Sequence, residues 1–485
     1  CKLSRGLGDV YKRQYPQTLE LCRVQISKDR NCAFMIGYNE MRNKSQQELI
    51  TMAGTFFNRE DYTNCEAVVS YILDNDPQNK AALTLLGSMY TREDRYGMSE
   101  NIFRYLLSLY GATKTLLLGL GSAIQNPARA DEAFTYLDAV LEVEPENTLA
   151  MTNKASMLNE ICRYDEAIEL AEKSIEVKGD PDESPAAVDC IALASLGRED
   201  FKRGFELNRK SLALKFRKEI VYGDETRWEG EKDKIVIIYG EQGIGDEIFY
   251  GSVIPDAIKD SKHVIIDCDH RLEGLFKRSF PEASVYGTRH KAGSWMKNHE
   301  WDHRCAMADL SAFYRKDKKD YTGESFLKAD PVRVKQWSET FGDDVKIGIA
   351  FRGGNKYTNR EMRCIPLETF RPLTEYGSLV SLEYNEFDYA DFPIETYEWA
   401  TMSEDYDHVA ALVASLDYVV TTCTAVVHIA GALGVPCYVL RNKFYSWRYA
   451  HDMPMYKSVH VIHCDGDWER GMKDVISLIQ MREAA

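Results

Sequence analysis

A 34-residue period runs through the first half of this chain and constrains its fold more than any other feature. Pro77 and Pro145 lie two periods apart, Gly111 falls midway between them, and Gly179 comes one period after Pro145. Tyr62, Tyr96, Ala130 and Tyr164 keep the same step. So do two sets of small residues: Ala53, Gly87, Gly121 and Ala155 early in each unit, and Cys65, Ser99, Ala133 and Ala167 later in it. Small residues at a fixed phase mark where helices approach closely, so each unit reads as two antiparallel helices. Such a pair cannot bury its apolar stripe alone. It stacks on its neighbours and builds a superhelix with a concave groove. A fifth unit follows an insertion at 179–184, with Ala192, Phe201 and Gly204 in the matching places. Residues 15–45 read as the remnant of an earlier one. Paired helices without sheet are therefore expected over 15–214.

The pattern resembles the tetratricopeptide repeat. The groove then reads as a docking site for a peptide or protein, and equally as a spacer or dimerisation surface. Composition narrows the partners. The 485 residues carry 60 Lys+Arg against 76 Asp+Glu, a net charge of −16. That argues against general binding to nucleic acid or anionic membrane, both of which need dense basic faces. The longest weakly polar stretch, 425–440, is interrupted by His428, Gly431, Gly434 and Pro436 and falls short of a spanning helix. The 12 Cys form no C-x-x-C pair, so neither a zinc site nor a disulfide framework is read from them, and a cytoplasmic location is expected. At the start, Asp9-Val10-Tyr11-Lys12-Arg13-Gln14 spells what a common sequencing-library adapter encodes in one frame. Residues 1–14 are therefore expected to be read-through and are set aside.

Residues 215–232 are charged, keep no period and read as a linker. Beyond them, short apolar runs at 234–239, 263–267, 346–351, 379–382, 418–421 and 437–440 alternate with helical stretches. That alternation predicts parallel strands in α/β units. A polar middle divides the region into two Rossmann-like halves, 233–336 and 337–485.

Three clusters in these halves carry candidate chemistry. Gly240-Glu241-Gln242-Gly243-Ile244-Gly245-Asp246-Glu247 follows the first strand and leads into a helix. It is neither the dinucleotide fingerprint nor a P-loop, yet it sets carboxylates at the carboxyl end of a strand, where α/β sheets bind ligands. The same acids suit a helix N-terminus in any protein. The second cluster runs from Thr421 to Pro436, where a strand ends in hydroxyl residues and a helix of small residues begins. Its first amides, with Thr422 and Thr424, form a candidate anion site that His428 can reach, or His428 packs in the core. In the third, Arg352-Gly353-Gly354-Asn355-Lys356 with Arg360 and Arg363 follows another strand. A basic cluster there suits a bound phosphate, the alternative being a solvated loop.

The runs GEQGIGDEI, CDHRLEGLFKRSFP, FRGG, TTCTAVVHIAGALGVP and SWRYA together resemble tetratricopeptide proteins that carry a heptosyltransferase-like domain, of the glycosyltransferase family nine type. The resemblance implies α-helical repeats followed by a GT-B fold, two Rossmann-like domains facing across a cleft. It implies a nucleotide-sugar donor on the C-terminal half, with Asp246 as general base and Glu241 or Glu247 as alternatives. Arg352, Lys356, Thr422, Thr424 and His428 then meet the donor, over the glycine loop of Gly243 and Gly245. The helix start departs from the Asp-Thr-Gly-Pro-x-His usual in heptosyltransferases, which counts against ADP-heptose as donor. The expected activity is inverting, metal-independent sugar transfer to a lipopolysaccharide-type glycan or a protein, without a cofactor. The competing expectation is a repeat scaffold with a nucleotide-binding domain that no longer turns over. Asp267-Cys268-Asp269 has the letters of a D-x-D metal motif but lies in the acceptor-side half.

Overall fold

The computed structural model describes residues 41–212, 217–289, 291, 293–354 and 360–484. The expected read-through, most of the remnant at 15–45, and Lys356 lie outside the described residues. The chain forms two compact units, Cys1–Leu158 with Lys173–Gly179, and Asn159–Glu172 with Asp180–Ala485.

The first unit is built from α1 (Gln46–Asn58), α2 (Tyr62–Asn75), α3 (Lys80–Arg92), α4 (Tyr96–Tyr110), α5 (Lys114–Ala123), α6 (Ala130–Val143) and the start of α7 (Thr148–Glu160). The series continues along the chain with α8 (Tyr164–Lys178). All eight small residues of the periodic sets are buried. The period also appears in the backbone. Glu60, Asp94 and Cys162, at equivalent turns, take φ of 58°, 59° and 63°, a left-handed conformation uncommon outside glycine. Asn79 and Asn147 cap equivalent helices, accepting from the N–H of Ala82 at 2.9 Å and of Ala150 at 3.0 Å. Among the described residues up to 212 there is no strand, as the period predicts.

The second unit opens with helical residues and adds α9 (Pro185–Gly197) and α10 (Phe201–Lys210). Leu196, Phe201 and Phe205 share one apolar core with both sheets that follow. Phe205 packs edge-on against Trp447 with centroids 5.9 Å apart, and Phe201 against Tyr321 at 5.4 Å. The first sheet holds β1 (Thr226–Arg227), β2 (Ile235–Tyr239), β3 (His263–Asp267), β4 (Ser284–Tyr286) and β5 (His303–Ala306), in the order β1-β5-β2-β3-β4. The second holds β6 (Lys346–Ala350), β7 (Ser378–Ser381), β8 (Tyr418–Thr421), β9 (Cys437–Arg441) and β10 (Val459–His463), in the order β10-β9-β8-β6-β7. Every pairing is parallel. The two sheets are the two Rossmann-like halves that the alternation predicts, and the chain is a helical-repeat array followed by a GT-B-like pair.

The strands absent from the sequence reading are β1, β4, β5 and β10. β1 and β4 have two and three residues. β5 (HRCA) and β10 (VHVIH) carry charged or imidazole side chains, so none of the four shows an unbroken apolar run. In each sheet the strand order reverses beside a central strand, between β2 and β5 and between β6 and β8. Ligands of open α/β sheets bind outside the carboxyl ends at such a reversal.

Candidate functional site

A cavity of about 520 Å³ lies in the second unit where loops from both sheets meet. The turn after β2 supplies Gly243, Gly245 and Asp246. The loop after β6 supplies Arg352, Gly353 and Gly354, and the one after β8 supplies Cys423 and Thr424. Arg271, Arg363 and Arg448 complete an arginine-rich lining.

Close packing of two helix starts makes the site. Helix α11 (Ile244–Gly251) follows the glycine turn; α12 (Ile254–Asp260), α13 (Glu273–Ser279), α14 (Pro331–Phe341) and α15 (Tyr406–Ala414) come next along the chain, and α16 (Ala425–Leu433) follows the hydroxyl-rich end of β8. A Cβ on Gly245 would lie 3.2 Å from the Ala425 Cβ and 3.5 Å from the His428 Cδ2, so this contact leaves little room for a side chain. Gly240 is excluded from change more strongly, since its Cβ would fall 2.2 Å from the Glu247 carboxyl.

Asp246 sits at the centre. One carboxylate oxygen accepts from the Gly243 N–H at 3.0 Å, and the other lies 2.7 Å from the Arg448 guanidinium. Phe249, Tyr250 and Trp447 ring that guanidinium at 5.1–5.7 Å from their centroids. Burial works against the Arg448 charge, but Asp246 more than compensates and holds it protonated. Arg448 is the residue that sequence reasoning missed. Its signal was a cation between aromatics in Ser446-Trp447-Arg448-Tyr449, shortly after a strand end.

The two alternative bases stand elsewhere. Glu247 points away from the cavity. It is 1% exposed, accepts from the Asp269 N–H at 2.8 Å and faces Arg289 at 3.5 Å. It lines neither this cavity nor its neighbour, and it fastens the turn after β3. Glu241 is buried against Arg217 at 3.1 Å and lines a neighbouring cavity that also touches Asp246.

Among the expected donor ligands, Thr424 is on the cavity wall and caps α16, accepting from the Val426 N–H at 3.1 Å. Thr422 lies beneath the wall, 1% exposed, with its N–H bonded to the Ala350 carbonyl. His428 reaches the wall, but both ring nitrogens meet tyrosine hydroxyls, Tyr449 at 3.2 Å and Tyr456 at 3.4 Å. Burial, then Arg448, lowers its pKa to about 3, so it braces α16 as a neutral ring and offers no cation. Arg352 also lines the cavity with its charge already met. Glu383, 3% exposed, bonds its Nε at 2.9 Å and the N–H groups of Phe351 and Arg352. Arg352 and His428 thus line the cavity where donor contacts are expected, and Thr422 lies behind it. Topology gave these groups protein partners.

Asp267 and Asp269 are engaged as well. Asp267 accepts from the Tyr222 and Thr288 hydroxyls, Asp269 from Arg271 and Arg289. Among the described residues, no group of three His, Cys, Asp or Glu is placed to hold a metal ion.

Glu247 gives the site a pH signature. Burial raises its pKa from 4.5 to about 8, offset in part by the Asp269 N–H and Arg289. The folded chain then holds a proton that the unfolded chain releases, so this contribution is present below pH 4.5 and is lost as pH rises through 8. The unfolding free energy of the native chain, read from urea titrations, is expected to fall between about pH 5 and pH 8, by roughly a few kcal/mol at most, and Glu247→Gln should flatten that fall. Equal slopes in the two proteins would refute this.

No protein-family model matches the chain. Among curated proteins it is similar to Protein FlbA of Caulobacter vibrioides, 25% identical over 394 residues. The match covers 74% of this chain and 66% of the relative, so it spans just under two thirds of that protein's length. Among solved structures, a glycosyl transferase family 9 protein from Veillonella parvula aligns with a TM-score of 0.35 at 14% identity. It covers 52% of this chain and 92% of its own. A thermophilic tetratricopeptide protein from Thermus thermophilus aligns with a TM-score of 0.31 at 13% identity, covering 35% and 92%. Among the described residues, no helix is long and apolar enough to cross a membrane.

Proposed function

We propose that this chain is a glycosyltransferase that uses a nucleoside-diphosphate sugar. The observation that carries the reading is the Asp246–Arg448 pair, which sits on the walls of two adjoining cavities at the carboxyl ends of the strands. The donor would occupy the first cavity, its diphosphate facing the start of α16 at Thr424 and the arginine lining. An acceptor hydroxyl would approach from the second. Its oxygen bonds to the anomeric carbon as the bond to the diphosphate breaks, and the electron pair leaves on the diphosphate. The hydroxyl proton passes to Asp246, and displacement from the opposite face inverts the anomeric centre. We propose further that the arginines and the helix start meet the charge of the leaving group, so that turnover persists in EDTA.

Calorimetry with UDP, GDP, ADP, dTDP and CMP, and with sugars carried on each, tests the donor site. At about 100 times its Kd, a true ligand adds about 2.7 kcal/mol of stability. If no nucleotide in the panel binds, the donor site as drawn is wrong. The engagement of Arg352 and His428 favours a second reading, a nucleotide-binding repeat scaffold without turnover. Release of nucleoside diphosphate from the bound sugar separates the two.

A further inference from the structure

The second cavity, about 630 Å³, shares Gly243, Asp246, Arg363, Ser446 and Arg448 with the first. Its far wall comes from the helical segment ahead of the sheets, through Asn159, Glu160, Tyr164, Asp189, Leu193 and Asn208. These residues belong to the same compact unit as the sheets, so the last helices are part of the cavity itself.

We infer that this cavity is an acceptor subsite for an uncharged sugar, and that the end of the helical-repeat segment selects it. The inference rests on the transferase reading above. Three observations carry it. The first is size, since the volume falls within the range of small-molecule sites, about 300–1,000 Å³. That is room for a short saccharide. The second is surface. Tyr164, Tyr250, Tyr445 and Trp447 line it with aromatic rings, and Asn208, 6% exposed, has a side-chain oxygen with no hydrogen-bond partner among the described residues. Aromatic faces beside amide and carboxylate acceptors suit the CH faces and hydroxyls of a sugar.

The third is charge. Glu160, Asp189, Glu241 and Asp246 line the cavity. Of its arginines, Arg217 is bound by Glu241 and Asp309 and Arg448 by Asp246, while Arg363 stands on the wall shared with the first cavity. A phosphorylated acceptor would bring anions against these carboxylates, whereas a neutral sugar would not.

Saturation-transfer NMR and calorimetry on the full chain test this, with methyl glycosides of glucose, galactose, mannose, rhamnose and N-acetylglucosamine as probes. Glucose 6-phosphate and a Ser/Thr-containing peptide serve as competing classes. At least one methyl glycoside is expected to bind. Leu193→Trp, which fills the cavity from α9, should weaken it at least tenfold, while nucleotide affinity stays within about twofold. A glycoside that binds Leu193→Trp as well as the native chain overturns the site. So does binding of only the phosphosugar or the peptide, or of no probe. Failure of the nucleotide panel with glycoside binding intact would sink the transferase reading and leave this site standing.

Discussion

In the Asp246→Asn protein, release of nucleoside diphosphate is expected to fall at least a hundredfold while nucleotide affinity stays within about threefold. An attacking hydroxyl must lose its proton as the glycosidic bond forms, and general-base help is typically worth about 10² to 10⁴ in rate. Asn has the shape of Asp but cannot take that proton. The geometry adds a second consequence. Asp246 accepts from the Gly243 N–H with one oxygen and from Arg448 with the other. An amide has one oxygen, so it can answer Gly243 or Arg448 but not both, and its NH₂ group faces a donor. A stability loss of about 1–3 kcal/mol is therefore expected beside the loss in rate. Product release, calorimetry and urea unfolding read the three effects separately. Full activity in the Asn variant would move the search to Glu241, the other carboxylate on the second cavity, because Glu247 faces away.

Arg217→Met is expected to cost about 3–5 kcal/mol, the range for breaking a buried ion pair from one side. Arg217 is 5% exposed and holds two buried carboxylates, Asp309 at 2.5 Å and Glu241 at 3.1 Å. Burial opposes its charge, and those two carboxylates restore it. Methionine keeps the apolar stem without the guanidinium and leaves Glu241, among the described residues, with the Gln242 amide at 3.2 Å. Asp309 retains Arg227 at 2.9 Å, so the loss concentrates on Glu241. Adding Glu241→Gln to the Met variant should recover part of the stability, since removing an orphaned charge is favourable where creating one was not. If the double variant is no more stable than Arg217→Met, the pair with Glu241 is not what the arginine supplies.

The repeats were legible because their defining contacts recur at a fixed separation. One small residue per helix per period is enough to set the phase, and the same phase reappears in burial and in the positive φ of Glu60, Asp94 and Cys162. Six of the ten strands were legible for a similarly local reason: a buried parallel strand must be apolar on both faces. The other four lie at sheet edges or carry polar side chains, and only pairing makes them strands. At the site, Asp246, Thr424 and the glycine loop could be found, because strand ends and helix starts are local features.

What the amino-acid order determined by itself is the architecture: a 34-residue helical period, then apolar runs alternating with helices around glycine-bearing turns. What the tertiary structure decided is which charges remain available. Arg352 reads as a phosphate ligand, and the fold sets it on the cavity wall against Glu383. His428 reads as a ligand or a core residue, and two tyrosine hydroxyls meet its ring. Arg448, distant in the chain, turns out to be the partner of Asp246. Periodicity depends on neighbours along the chain, whereas an ion pair depends on which strand ends the fold brings together. The same residue types at the same spacing thus leave open whether a cation faces a ligand or a buried carboxylate.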